Sequence, residues 1–139
     1  MKNIYYWCPF IGNIATIKAV INSAYSLSKY SNNKFMPTII NSCGEWDRYN
    51  SILNEKKIIV KKFKNKFSLN ADTSGYFKSR ITYIKIFLSC FFSLKNTLKN
   101  EQPEYLIAHL ITSLPIFLYL IFNFKTKLII RVSGKIKMN

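Results

Sequence analysis

The chain has 139 residues, 49% of them hydrophobic and 16% aromatic, with only 4 Gly and 4 Pro. That is enough for one domain with a real core and short for two, and it excludes a disordered or low-complexity segment. The 21 Lys+Arg against 6 Asp+Glu give a formal charge of +15, so a polyanion is the expected partner: nucleic acid, an anionic membrane surface or a phosphorylated small molecule.

Taken in chain order, Ile4–Trp7 is a short continuous apolar run that predicts a buried strand. The loop "CPFIGNIAT" follows, with Thr16 as the expected N-cap of a helix carrying Ile17, Val20, Ile21, Ala24 and Leu27 at helical spacing. "KYSNN" ends that helix in turn chemistry. "FMPTIIN" (Phe35–Asn41) predicts a second strand, with Pro37 placing its start at an edge or at the strand beginning. "SCGEWDRYN" reads as a polar loop, and "KIIVKKF" (Lys57–Phe63) as a third, lysine-flanked strand. The longest helical pattern runs from Tyr76 to Leu98, with Phe77, Ile81, Ile84, Leu88, Phe91 and Leu94 or Leu98 as its expected buried stripe. Pro103 then breaks the helix. "YLIAHL" predicts a fourth strand, "TSLP" a helix start capped by Thr112 or Ser113, Leu114–Phe122 the helix, and "LIIRVSG" a fifth strand.

Strands that alternate with helices, and that read as continuous apolar runs, imply a parallel sheet covered on both faces. The expected fold is α/β: a Rossmann-like three-layer sandwich on a parallel sheet of about five strands, in a single domain over residues 1–139. A competing reading takes Tyr105–Phe124, 20 residues without an ionised side chain, as one membrane span. His109, Pro115 and the Thr112–Ser113 pair interrupt that run where a strand-to-helix turn falls.

The type of charge narrows the partner. Arginine occurs only at Arg48, Arg80 and Arg131, whereas phosphate and base-edge recognition favour the planar guanidinium fork. A basic nucleic-acid-binding module is therefore the weaker alternative. Cys8, Cys43 and Cys90 are far apart, show no CxxC spacing and have one histidine, His109, for company. They read as buried reduced thiols, with no metal site. Lys2 is followed by only a short apolar stretch, so no signal peptide is expected.

Ligands of doubly wound sheets bind beyond the carboxyl ends of the strands, and the loops expected there carry the candidate chemistry. In the first loop Gly12, Asn13, Ala15 and Thr16 could let backbone amides approach an anion at a helix N-terminus, although neither a GxGxxG nor a P-loop pattern is present. Glu45 and Asp47 flank Trp46, a grouping that suits sugar hydroxyls and a sugar face; the plain alternative is a solvated turn with Trp46 over the sheet edge. His109, at the expected end of the fourth strand, suits a general base or a bond to a substrate hydroxyl, and otherwise a satisfied core residue. Thr112 follows it in "AHLITS", and Arg131, Ser133 and Gly134 suit anion contacts at the end of the fifth strand.

"TIKAVINSAYSLSKYS", "INSCGEWDRY" and "PEYLIAHLITSLPIFLYLIFNFKTKLIIRVSGKIKMN" together resemble the N-terminal domain of family 4 glycosyltransferases of the GT-B fold. "GEWD", "AHLITSLP" and "RVSG" are the most specific segments. The chain departs from that pattern at Ala15, where glycine is frequent, and at Ile136, where relatives tend to carry proline. The resemblance implies an acceptor-binding half for a glycan or lipid-linked acceptor, with His109 on the acceptor side and the Gly12–Thr16 loop near the donor's phosphates. No cofactor is expected in this half. The nucleotide-sugar belongs to a second, C-terminal half, encoded beyond Asn139 or separately, without which the chain is expected to be inactive. The resemblance also implies a protein in the cytoplasm, peripheral to the inner face of the plasma membrane. Lys56, Lys57, Lys61, Lys62, Lys64 and Lys66, interleaved with Phe63 and Phe67, are the expected contacts to an anionic leaflet.

Overall fold

In a computed structural model, residues 1–9, 15–63, 76–109 and 113–132 are described. Five parallel strands, β1 (Lys2–Trp7), β2 (Phe35–Asn41), β3 (Ile59–Lys62), β4 (Tyr105–His109) and β5 (Lys127–Arg131), form one sheet in the order β3-β2-β1-β4-β5. Four helices, α1 (Ala15–Tyr30), α2 (Asn50–Glu55), α3 (Tyr76–Asn100) and α4 (Leu114–Ile121), accompany it, and the edge strand β5 stays largely exposed. The result is a Rossmann-like three-layer α/β fold.

β1 lies at the centre, and its side chains alternate between the two layers. Ile4, Tyr6 and Cys8 pack with Ile17, Val20, Ile21 and Ala24 of α1 and with Ile39, Trp46 and Leu53. Tyr5 and Trp7 pack on the opposite side with Ile40, with Ile86, Cys90, Leu94 and Leu98 of α3, and with Leu114 and Leu118 of α4. Pro37 sits opposite Ile4, on the part of β2 that precedes the first β2–β3 pair, Thr38 with Ile59. A residue without an N–H is tolerated where one side of the strand is still unpaired.

Turn chemistry marks the element ends. Asn32 and Asn33, after α1, take left-handed φ values of 49° and 59°, a region that asparagine tolerates through local hydrogen bonding. α1 begins at Ala15 rather than after Thr16, so Thr16 lies within the first turn and is not the cap; alanine is the stronger helix former. Ser113 holds the N-cap of α4 without a side-chain bond, and Pro115 sits in the first turn. The segment read as one polar loop, "SCGEWDRYN", contains a 3-10 turn (Asp47–Tyr49) that leads into α2.

Two expectations are corrected. The 105–124 run is not a span: it divides into β4, hydrogen-bonded between β1 and β5, and α4. Among the described residues no helix is long and apolar enough to cross a membrane. The stripe expected on α3 holds only in its last turns. Phe77, Ile81, Ile84 and Leu88 face outward, while Leu94 and Leu98 are buried as expected, together with Thr82, Ile86, Cys90, Ser93 and Thr97. The inward side also holds hydroxyl-bearing residues: Ser93 Oγ donates to the Cys90 carbonyl at 2.9 Å, while Thr97 Oγ1 has no partner among the described residues.

This orientation has a direct test in denaturant. Leu94→Ala removes a fully buried side chain and should cost about 2–5 kcal/mol, whereas Leu88→Ala should cost less than about 1 kcal/mol. Urea unfolding of both variants measures the difference, and equal losses would contradict the orientation of α3.

Candidate functional site

The sheet order reverses between β1 and β4, and the crevice outside the carboxyl ends of those strands is where α/β folds hold ligands. Cys8 and Pro9 leave β1 there, His109 ends β4, Arg131 ends β5, and the loop after β2 brings Glu45 and Asp47. Ala15 and Thr16 start α1, whose N-terminal dipole end is positive. The rim thus gathers candidates from four strands.

The loop after β2 is wired by its own side chains. Gly44 adopts φ +82°, a conformation glycine takes without a Cβ penalty. A Cβ there would lie 3.2 Å from Asp47 Oδ2. This bend returns the chain so that the backbone N–H groups of Ser42 and Cys43 donate to the Glu45 carboxylate at 3.1 and 2.6 Å. The Asn41 side chain ties the two ends: Nδ2 donates to Asp47 Oδ1 at 3.0 Å and Oδ1 accepts the Trp46 N–H at 3.4 Å. Asp47 also pairs with Lys62 at 3.1 Å.

Glu45 and Trp46 are therefore not laid out for a sugar. Trp46 is fully buried in the α1-side core, and Glu45 is buried against the backbone. Burial raises the Glu45 carboxyl to about 7, against the opposing pull of the Cys43, Glu45 and Ser42 N–H groups. Of the acidic pair, only Asp47 remains accessible.

Three thiols lie in or near this loop. Cys8, Cys43 and Cys90 are free and buried, and Cys43 Sγ stands 3.4 Å from Cys90 Sγ. Burial, and the Glu45 charge after it, push the Cys8 thiol up to about 12. The contact with Cys43 and then burial raise Cys90. Such thiols are inert at neutral pH.

His109 is the rim group most suited to chemistry. It is buried at the end of β4, directly beside Arg131 in the β4–β5 register. Burial, then the Arg131 charge, lower its pKa, so the imidazole is neutral at neutral pH. Its Nε2 has no hydrogen-bond partner among the described residues. A neutral ring nitrogen next to a guanidinium can accept a proton or a hydroxyl hydrogen bond while the arginine holds an anion.

Gly12, Asn13, Thr112, Ser133, Gly134, Lys64 and Lys66 lie outside the described residues. The other lysines of the basic stretch are largely engaged within the protein. Lys61 pairs with Glu101, Lys62 pairs with Asp47, and Lys56 sits 4.4 Å over the Tyr25 ring; Lys57 is exposed, with φ +53° between α2 and β3. Sequence reasoning missed the structural use of Asn41. The signal was a polar side chain at the very end of an apolar strand.

Three outcomes are expected here. Gly44→Ala should lose about 1–2 kcal/mol in urea unfolding, from left-handed strain and crowding of Asp47. Glu45 carries a raised folded pKa, so its favourable contribution is complete below the unfolded value of 4.5 and is lost as pH rises through about 7. The stability advantage of the wild type over Glu45→Gln should accordingly shrink by up to about 3 kcal/mol between pH 4.5 and 8. The three thiols should react with a disulfide reagent only on unfolding, which a thiol count with and without urea reads. No protein-family model, no curated protein and no solved structure matches this chain, so its own geometry and the likeness of its motifs are what a functional reading rests on.

Proposed function

We propose that this chain is the acceptor-side half of a family 4-like glycosyltransferase, acting on a glycan carried by a lipid-linked diphosphate. The observation that carries the reading is His109: a buried, neutral imidazole with Nε2 unpartnered among the described residues, at the strand-order reversal, beside Arg131. Nε2 is enclosed, so accepting the hydroxyl of the acceptor sugar requires that the end of β4 open to it, whereas Arg131, exposed beside it, binds the phosphate oxygens of the carrier. Asp47 lies on the same rim as a further acceptor of sugar hydroxyls. The donor nucleotide-sugar is held by a second Rossmann-like unit facing this rim, so transfer requires that unit. The likeness of "GEWD", "AHLITSLP" and "RVSG" to the family supports the same reading.

Isothermal titration with a short-chain, water-soluble polyprenyl diphosphate glycan tests it. Saturable binding is expected, weakened at least tenfold by Arg131→Ala and by His109→Gln, with unchanged circular dichroism. No binding, or binding indifferent to both substitutions, would overturn the acceptor site.

A further inference from the structure

The outer face of α3 carries a line of large exposed apolar side chains. Phe77, Ile81, Ile84, Leu88 and Phe92 are between 52 and 78% exposed, and their steps of three and four residues place them along one line of the helix. The line continues at the same spacing to Lys95 and Lys99. At about 1.5 Å per residue the apolar part extends about 22 Å. It also spreads sideways: the Phe92 ring meets Phe91, and Phe91 meets Phe117 of α4. From Phe117 the outer face of α4 carries on to Ile121 and to Leu120, which is 81% exposed. Two adjacent helices thus present one apolar surface.

What covers this surface is indicated by charge. The 25 residues of α3 include five Lys or Arg and no acidic residue. Lys85 lies within the apolar line, one turn from Ile81 and Leu88. Where α3 and α4 end, a cavity of about 270 Å³ is lined by Lys95, Lys99 and Lys125, with Leu98, Phe122 and Phe124 as its apolar walls and Gln102 and Asn123 completing it. Lys95 Nζ lies 4.5 Å over the Phe122 ring. No carboxylate among the described residues lines that cavity. Four of the six acidic residues, Glu45, Asp47, Glu101 and Glu104, are engaged in bonds or ion pairs elsewhere. A second copy of this chain would set lysine rows against each other. An apolar helix face rimmed by lysines, lying flat, is the arrangement that binds an anionic lipid interface.

We propose that the outer face of α3, continued by α4, docks this protein on an anionic bilayer, with Lys95, Lys99 and Lys125 holding a lipid phosphate at the helix end. Phe77, Ile81, Ile84, Leu88 and Phe92 enter the acyl boundary, and the helix axis lies in the membrane plane. Of the lysines expected from the sequence, the described ones, Lys56, Lys57, Lys61 and Lys62, belong to the α2–β3 segment and not to this surface. The proposal goes beyond the acceptor reading and does not use it, because the surface is that of the α3–α4 layer and not the strand-end rim.

The test uses glycan-free vesicles, so its failure leaves the acceptor site unaffected. Both native tryptophans, Trp7 and Trp46, are buried, which gives Leu88→Trp a background insensitive to lipid. Vesicles of phosphatidylcholine with 30% phosphatidylglycerol should shift the emission of the introduced indole to the blue, and phosphatidylcholine alone should not. Co-sedimentation should fall at least tenfold in the pair Ile84→Ser with Leu88→Ser, and severalfold in Lys95→Gln with Lys99→Gln, with circular dichroism retained in both. No emission shift, equal binding to neutral vesicles, or sedimentation unchanged in both pairs would overturn the proposal. Dimerisation abolished by the serine pair, without vesicle binding, would assign the face to a second copy instead and also overturn it.

Discussion

Everything in this fold hangs on a central strand that has no solvent face. β1 is paired on both edges, to β2 and β4, and is covered on both sides, so each of its residues commits a neighbour: Tyr6 to α1, Trp7 to α3 and α4. Two of its polar atoms are met inside, while Trp7 Nε1 has no partner among the described residues. The Tyr6 hydroxyl pairs with Ser23 of α1 at 2.8 Å, and the Tyr5 hydroxyl donates to Glu101, just after α3, at 2.6 Å. Both helical layers are thereby fixed to the same strand. The rim above it inherits their positions, because unpaired polar atoms in such an interior are costly.

The scarcity of acidic residues shapes the rest. Glu104 pairs with Lys2 and receives Lys127 at 4.0 Å, while Glu101 receives Lys61 as well as Tyr5. Glu45 and Asp47 organise the loop after β2. Carboxylates work here as internal ties between elements, and the surface is left to lysine. A basic exterior is in this sense the complement of an interior that uses its acids structurally.

The strands were legible because a parallel sheet buried on both faces favours apolar runs: Ile4–Trp7 is unbroken, Phe35–Asn41 is mostly apolar, and Tyr105–His109 turns polar only at its last residue. The position of His109 followed from the same pattern, since a strand end places its last residue on the rim. The direction of α3 was legible only in its last turns, where Leu94 and Leu98 are buried. Earlier in the helix the sequence offers one stripe of Phe77, Ile81, Ile84 and Leu88 and another of Thr82, Ile86, Cys90 and Ser93, and hydropathy alone favours the first for burial. Packing chose the second, whose mostly small side chains let the helix approach the sheet. Trp46 failed as a ligand platform for a related reason: an aromatic between two carboxylates reads alike whether its ring turns out to solvent or, as here, into the α1-side core.

A single helix separates the outer α3 face from the sheet, and an α-helix with its side chains is about 10 Å across. If that face rests on lipid, α3 works as a spacer of fixed thickness. The strands then run along the membrane at one height, and the rim bearing His109 and Arg131 opens sideways over the surface rather than up into the solvent. A molecule tethered by its tail would reach the rim edge-on, and only one whose head stands about that far above the headgroups would meet it. Reach, rather than affinity alone, would sort its ligands.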